Sequence, residues 1–290
     1  METRVRSATK TVLIADHRPT VLIGERINPT GKERLAAALE AGDLEWVRQE
    51  ALAQVEAGAD ILDVNVGAAE VDEVTLLPEA VRLVMETVDV PLSIDSANPE
   101  ALRAALEMVR RLAPEGKPIV NSVNGEERSL SRVLPLVKEY GAAVIGLTMD
   151  EGGIPNEAEK RVAVAHNIVE RAEALGIPRE DVIMDCLALT VSTDRRAALV
   201  TLETIRRVRE ELGVNMTLGA SNVSFGLPER ELINGAFLAM AIAAGVTCPI
   251  VDVARARPVV LAVDLLLGRD EYAMRYLRAY RGRRRKAAGG

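Results

Sequence analysis

Ile61-Leu62-Asp63-Val64-Asn65-Val66-Gly67 is a short apolar run that turns polar at its end, and a helical stretch over 74–88 follows it. Five further segments share this form: Gly24-Glu25-Arg26-Ile27-Asn28, Ile94-Asp95-Ser96, Asn121-Ser122-Val123-Asn124, Met184-Asp185 and Ser221-Asn222-Val223-Ser224. Strand and helix alternating at about 30 residues per unit is the spacing of βαβ units. Polar residues at successive strand ends meet only where all those ends face one way. A parallel (βα)8 barrel does this, and its active site lies at the C-terminal ends of its strands. The pattern therefore predicts an α/β fold, a (βα)8 TIM barrel, with a mouth lined by carboxylates and amides.

Outward from this stretch the same grammar gives eight strands and eight helices. The helices are expected near 44–57, 74–88, 99–112, 129–140, 157–175, 194–212, 229–244 and 259–267. In the first of them Asp43 is placed as N-cap, and Leu44, Val47, Ala51 and Val55 recur at helical spacing. Gly58 is placed to end it, because glycine takes the left-handed C-cap without steric cost. Before the barrel, Val12-Leu13-Ile14 and Val21-Leu22-Ile23 flank Asp16-His17-Arg18-Pro19. This reads as an N-terminal hairpin whose second arm continues into the first barrel strand, with His17 exposed in the turn. Residues 270–281 read as an extra C-terminal helix on the barrel exterior, and 283–290 as a disordered tail. No linker composition divides the chain, so 1–290 reads as one domain with its barrel core over about 21–267. An open doubly wound sheet is the alternative. It would carry a Gly-x-Gly-x-x-Gly turn, which is absent, and would gather its polar residues at one switch point.

Composition narrows the function. Hydrophobic residues make up 48%, enough for a full core, but the chain has only one Trp, four Tyr and two Phe. A core of Ala, Val, Leu and Ile suits a parallel sheet buried on both faces. The net charge of −7 argues against general nucleic-acid binding. The basic segment Arg281-Gly282-Arg283-Arg284-Arg285-Lys286 lacks interleaved aromatics and reads as solvated. Cys186 and Cys248 form no Cys-x-x-Cys pair, and His17 and His166 are the only histidines. Zinc ribbons, iron–sulfur clusters and multi-histidine metal sites are therefore not expected. No signal-type leader and no long apolar run is found in the sequence, so a cytoplasmic protein with reduced thiols and no membrane association is expected.

Asp63, Asp95 and Asp185 close three strands, with Asn65, Asn121 and Asn222 beside or between them. Three carboxylates in one mouth need something that is positive or rich in donors. A divalent cation fits, since it prefers oxygen ligands. So does a flat heterocycle with several N–H donors, such as a pterin, because carboxylates accept and amides do both. Single aspartates can instead cap helices, and Asp95-Ser96 is placed to cap the one beginning near Pro99.

Taken in order, these motifs, with Ile145-Gly146-Leu147-Thr148-Met149 and Gly219-Ala220 ahead of Ser221, resemble the pterin-binding methyltransferases. The resemblance is above all to methyltetrahydrofolate:corrinoid/iron–sulfur protein methyltransferases and to the folate-binding module of cobalamin-dependent methionine synthase. It covers residues 21–267. It implies a (βα)8 barrel, usually a homodimer, that moves the N5-methyl of methyltetrahydrofolate to the cobalt of a corrinoid. Asp95, Asn121 and Asp185 match residues that hydrogen-bond the pterin ring. Asn222 matches an asparagine near N5 and is the catalytic candidate. Asp63, Asn65, Glu25, Asn28 and Ser221 match positions around the same pocket. Gly146 and Gly219 sit where a flat ring would approach the backbone, with plain turn glycines as the alternative.

The chemistry agrees with that resemblance. A methyl on a neutral tertiary amine leaves only as nitrogen gains hydrogen bonding or a proton, so donors that strengthen toward the transition state are needed. No histidine is placed as an acid; an Asn222 amide with a water chain is the expected route. The Asp-x-His-x-x-Gly signature of corrinoid carriers is absent, which implies cobalamin on a separate partner protein. No metal is expected on this chain. Dihydropteroate synthases, which are related, carry a Ser-Thr-Arg-Pro-Gly loop and a late Ser-Arg-Lys segment. Here Val66-Gly67-Ala68-Ala69-Glu70 and Ser221-Asn222-Val223-Ser224 stand instead. That synthase and a non-catalytic pterin-binding subunit are the alternatives.

Overall fold

Short Val- and Ile-rich runs, buried on both faces, build the sheet of this protein. The structure is a computed structural model and describes residues 1–288. Strands β1 (Thr3–Arg6) and β2 (Thr11–Ile14) form an antiparallel hairpin. The barrel strands follow: β3 (Ile23–Ile27), β4 (Ile61–Val64), β5 (Leu92–Asp95), β6 (Ile119–Asn124), β7 (Ala143–Leu147), β8 (Val182–Asp185), β9 (Asn215–Thr217) and β10 (Ile250–Val251). They pair in parallel in chain order, and β10 pairs with β3. The Ile250 amide donates to the Leu218 carbonyl at 3.0 Å, just past β9, and so closes the ring. The eight parallel strands bear out the expected TIM barrel.

Between strands lie α1 (Glu33–Glu40), α2 (Glu45–Ala57), α3 (Glu73–Thr87), α4 (Pro99–Leu112), α5 (Glu127–Tyr140), α6 (Ala158–Ala174), α7 (Ala197–Glu211) and α8 (Arg230–Ala244). After β10 come α9 (Val253–Leu266) and the extra helix α10 (Met274–Ala288). Gly58 ends α2 with φ 104°, as its place after the apolar periodicity implied. Two helices differ from expectation. The short α1 was not foreseen, and α9 starts at Val253 with Pro258 inside it, although a proline ordinarily marks a helix's first turn. The segment expected as a disordered tail from 283 is helical as far as Ala288; residues 289–290 lie outside those described.

The hairpin exists, but with another partner. Val12, Leu13 and Ile14 pair back onto Thr3–Arg6, not forward onto Val21–Ile23. Their alternation suits β1, where Val5 points inward and is fully buried. The run at 21–23 is claimed by the barrel instead, since Val21 N–H donates to the Thr247 carbonyl and Ile23 N–H to that of Pro249. His17 is exposed, as expected.

Period-two alternation then sorts each strand into two faces. Ile23, Ile61, Ile119, Ile145 and Ile183 point inward and pack with Val5 and Ile14 of the hairpin, which plugs the N-terminal end. Asn215, on β9, holds the plug: its Nδ2 donates to Thr3 Oγ1 and to the Ile14 carbonyl, both at 2.9 Å. The residues between them, among them Leu62, Ile94, Val120, Val144 and Met184, face outward into the larger core shared with the helices. Each such buried side chain contributes about 1.5–3 kcal/mol. The inward face is therefore apolar below, and whatever stands one step nearer the strand ends forms the floor of the mouth.

Candidate active site

One step further along the inward face, the apolar layer gives way to polar groups. Two residues beyond Ile61 stands Asp63; beyond Ile23, Glu25; beyond Ile119, Asn121; and beyond Ile183, Asp185. On β5 the inward positions are Ser93 and Asp95. The register sets Asp63 opposite Ser93, Asp95 opposite Asn121 and Asp185 opposite Thr217, so that Asp95 stands one inward step beyond Asp63 and Asp185 one inward step beyond Asn121. The mouth expected from the sequence is thus assembled from β3, β4, β5, β6 and β8.

Asp63, Asn121 and Asp185 are all buried. Asn121 Nδ2 donates to Asp63 Oδ1 at 3.0 Å. Burial pushes the Asp63 carboxyl well above the usual carboxylate range, and the neighbouring Asp95 adds to this. Asp95 is raised by burial too, with the Asn65 amide opposing and Glu73 adding. Asp185 is pushed up to about 7 by burial, against the Leu187 amide, which donates to its Oδ1 at 2.7 Å, and against the charge of Arg161. Burial raises Glu25 as well, opposed by Lys32. The mouth is a set of under-neutralised acceptors, which favours a ligand that brings donors.

The capping alternative for Asp95 does not hold. The N-cap of α4 is Asn98, whose side chain accepts from the Glu100 amide at 3.0 Å. Ser96 accepts from the Asn98 amide and hydrogen-bonds Glu73. Asp95 takes no part in the cap and lies against the Asn65 amide instead.

Other expected residues have mainly local work. Asn28 Oδ1 accepts from the Thr30 amide at 2.9 Å, and Asn65 Oδ1 from Gly67 at 2.8 Å, so both side chains shape their loops. Asn65 also lies against Asp95. The Ser221 carbonyl accepts from Arg230 at 2.8 Å. Asn222 sits on a short 3-10 turn (Ala220–Ser224), exposed at the rim. A Cβ on Gly219 would stand 3.1 Å from Asn222 Nδ2, so this glycine leaves space for the amide. Gly146 faces the other way: a Cβ there would meet Ile168 of α6 and Met184 at 3.0 Å. Its space serves the helix layer and not a ring in the mouth, a correction that strand alternation explains.

Several contributors were not singled out from the sequence. Asp252 ends β10 beside Glu25 and follows the same strand-end grammar. Lys32 donates to the carbonyls of Arg26 at 2.9 Å and Asn28 at 3.0 Å, fixing the loop after β3. Arg161, only 1% exposed, donates to the Cys186 and Leu187 carbonyls beyond Asp185. Nothing in the pattern around Arg161 distinguishes it from the exposed charges beside it. Leu187 itself adopts φ 51°, a left-handed conformation that costs a non-glycine residue about 1–3 kcal/mol. Among the described residues no group of three or more His, Cys, Asp and Glu is arranged to hold a metal ion, and no helix is long and apolar enough to cross a membrane. A hollow of about 540 Å³ lies between the loops after β6 and β7, lined by Gly125, Asp150 and Lys160; none of the expected site residues lines it.

Comparison with known proteins agrees with this geometry. The family model of pterin binding enzymes matches residues 24–252. The chain is 32% identical over 269 residues to a methylcorrinoid:tetrahydrofolate methyltransferase of Eubacterium limosum, covering 90% of this chain and 96% of that one. It is 31% identical to methionine synthase of Mycobacterium leprae, covering 87% of this chain but only 22% of the synthase. Among solved structures, a Yersinia pestis dihydropteroate synthase superposes with a TM-score of 0.68 at 17% identity, over 92% of this chain and all of that one. A Xanthomonas albilineans dihydropteroate synthase in complex with 7,8-dihydropteroate gives 0.62 at 19% identity, over 91% of this chain and 98% of that one. These two likenesses speak for the fold. With the matched model spanning the barrel from β3 to the end of β10, this chain belongs to the pterin binding enzyme family.

Proposed function

We propose that this chain transfers a methyl group between the N5 nitrogen of tetrahydrofolate, or a related tetrahydropterin, and the cobalt of a corrinoid held by a separate protein. One observation carries the reading: Asp95, Asn121 and Asp185 share the inward face of β5, β6 and β8 at the mouth, and the two carboxylates are short of donors. A pterin's 2-amino and ring N–H groups supply the missing donors, and the Asn121 amide serves a ring atom of either kind. The direction expected from the sequence runs from methyltetrahydrofolate to cobalt. The name of the Eubacterium limosum relative runs from methylcorrinoid to tetrahydrofolate. A single site serves both directions, because both pass through the same transition state.

In this reading the buried carboxylates orient the pterin, and Asn222 at the rim turns inward to N5 as the methyl departs. Hydrogen bonding that tightens only then lowers the barrier without deepening the ground state. The cobalt supplies the nucleophile or the methyl, and that chemistry is the corrinoid's own. Exposed Phe225 and Leu232, close to Asn222 in sequence, offer apolar surface for the corrinoid protein. A cytoplasmic homodimer completes the proposal; exposed Leu266 and Tyr272, at the corner of α9 and α10, are available to a second copy. Calorimetry with methyltetrahydrofolate tests the binding half. Asp95→Ala is expected to weaken affinity about ten- to hundredfold, the loss of one charged acceptor at about 1.5–3 kcal/mol. Unchanged affinity would remove Asp95 from the pterin site.

A further inference from the structure

We propose that Arg161, on α6 and outside the mouth, is a positioning residue for the pterin: it holds the 186–187 loop so that Asp185 presents an acceptor to the ring. The inference rests on the methyltransferase reading and adds to it a residue behind the site.

The geometry is a clamp. Arg161 Nε donates to the Pro155 carbonyl at 2.7 Å, in the segment leading into α6. One Nη donates to the Cys186 carbonyl at 2.9 Å and to the Leu187 carbonyl at 2.7 Å. Thr201, on α7, donates to the same Leu187 carbonyl at 3.1 Å and lies 3.4 Å from that Nη. One guanidinium thus ties the approach to α6, the loop after β8 and the start of α7 together. A planar fork of donors suits this task, which a single ammonium cannot fill.

The loop's shape shows what the clamp achieves. Leu187 is held at φ 51°, a conformation that persists only where the surroundings over-determine it. In that conformation its carbonyl turns back to Arg161 and Thr201 while its N–H meets Asp185 Oδ1 at 2.7 Å. The Asp185 backbone is fixed from the other side, where Thr148 N and Oγ1 donate to its carbonyl at 3.1 and 3.0 Å. The carboxylate is therefore set by its neighbours on both sides.

Charge adds a second effect. A buried arginine normally takes a carboxylate partner. Among the described residues the partners of the Arg161 guanidinium are backbone carbonyls and the Thr201 hydroxyl, and its positive charge favours the ionised form of Asp185 at longer range. The other titratable groups that bear on Asp185 are the Cys186 and Cys248 thiols, each pushed far up by burial and neutral throughout the useful pH range. Removing the Arg161 charge raises the pH at which Asp185 ionises. A ring that brings N–H donors binds the ionised form, so affinity should then rise with pH over a more alkaline range.

The experiment is calorimetric titration of the full chain with methyltetrahydrofolate between about pH 5 and 9, for wild type, Arg161→Gln and Arg161→Lys, each first checked for a cooperative melt. Arg161→Gln is expected to bind at least about tenfold more weakly near neutrality and to move the midpoint of the affinity profile alkaline. Arg161→Lys is expected to restore the midpoint, by restoring the charge, but not the full affinity. A folded Arg161→Gln with the wild-type midpoint overturns the inference, even if its affinity is lower. Should Arg161→Gln not fold, Arg161→Lys decides: wild-type affinity overturns the inference, and weaker binding at the wild-type midpoint supports it. A wild type that fails to bind methyltetrahydrofolate overturns the methyltransferase reading itself, an outcome separate from a failure confined to the variants.

Discussion

Replacing Asp185 by Asn should make the protein more stable at alkaline pH and worse at binding its pterin. Asp185 is 7% exposed, and burial pushes its carboxyl from the ordinary 3.8 up to about 7. At about 1.4 kcal/mol per unit, ionising it in the folded chain costs on the order of 4 kcal/mol. The sign follows from the raised value. The stability this group contributes is fully present below its unfolded pKa, near 4, and is lost as pH rises through about 7. Asparagine carries no charge to bury, and its Oδ1 still accepts from the Leu187 amide. Wild type and Asp185→Asn should therefore melt alike near pH 4, and the variant should melt roughly 8–16 °C higher near pH 8, at about 2–4 °C per kcal/mol. Binding moves the opposite way, because a carboxylate offers acceptors to two ring donors where the amide offers one acceptor and one clashing donor. Affinity for methyltetrahydrofolate should fall at least about tenfold, about 1.4 kcal/mol. Scanning calorimetry at both pH values and one titration check both halves. A variant that melts lower than wild type at pH 8, or that binds equally well, refutes the reasoning.

Asn222→Ala should lower single-turnover methyl transfer at least about tenfold while pterin affinity falls less; poor binding with a normal rate at saturation would make Asn222 a binding residue only. Gly146→Ala should destabilise by about 1–3 kcal/mol, because its methyl meets Ile168 and Met184 at 3.0 Å, yet leave pterin affinity of the folded protein unchanged. Weaker binding at undiminished stability would return Gly146 to the mouth. Chelator treatment should leave methyl transfer intact, since the carboxylates are read as acceptors for N–H donors; activity that vanishes and returns with magnesium or zinc would favour a cation site.

The barrel was legible in the sequence because its signals are local. Each apolar run, each polar strand end and each glycine such as Gly58 reports its own backbone, and alternation then sends Asp63, Asp95, Asn121 and Asp185 to one mouth. What escaped depends on partners far along the chain. Whether Val12–Ile14 pairs with 21–23 or with 3–6 turns on the barrel's claim to Val21 and Ile23, which the strand's own residues do not state. Gly146 looked like a ring contact because glycine at a strand end suits close approach; only the register, with Ile145 inward, shows that it faces α6. Arg161 was invisible because its role lies in carbonyls 25 and 26 positions away, and carbonyls carry no sequence signal. Asp252 follows the strand-end rule and was within reach of it.

The proposed reaction is methyl exchange between a pterin N5 and cobalt. Its most direct measurement is the spectrum of a corrinoid incubated with the purified chain: cob(I)alamin with methyltetrahydrofolate, and methylcobalamin with tetrahydrofolate. Methylcobalamin should form in the first mixture and be consumed in the second. Both rates should fall together in Asp185→Asn. No exchange in either direction, with dihydropteroate formed from a pterin pyrophosphate and p-aminobenzoate, would contradict it.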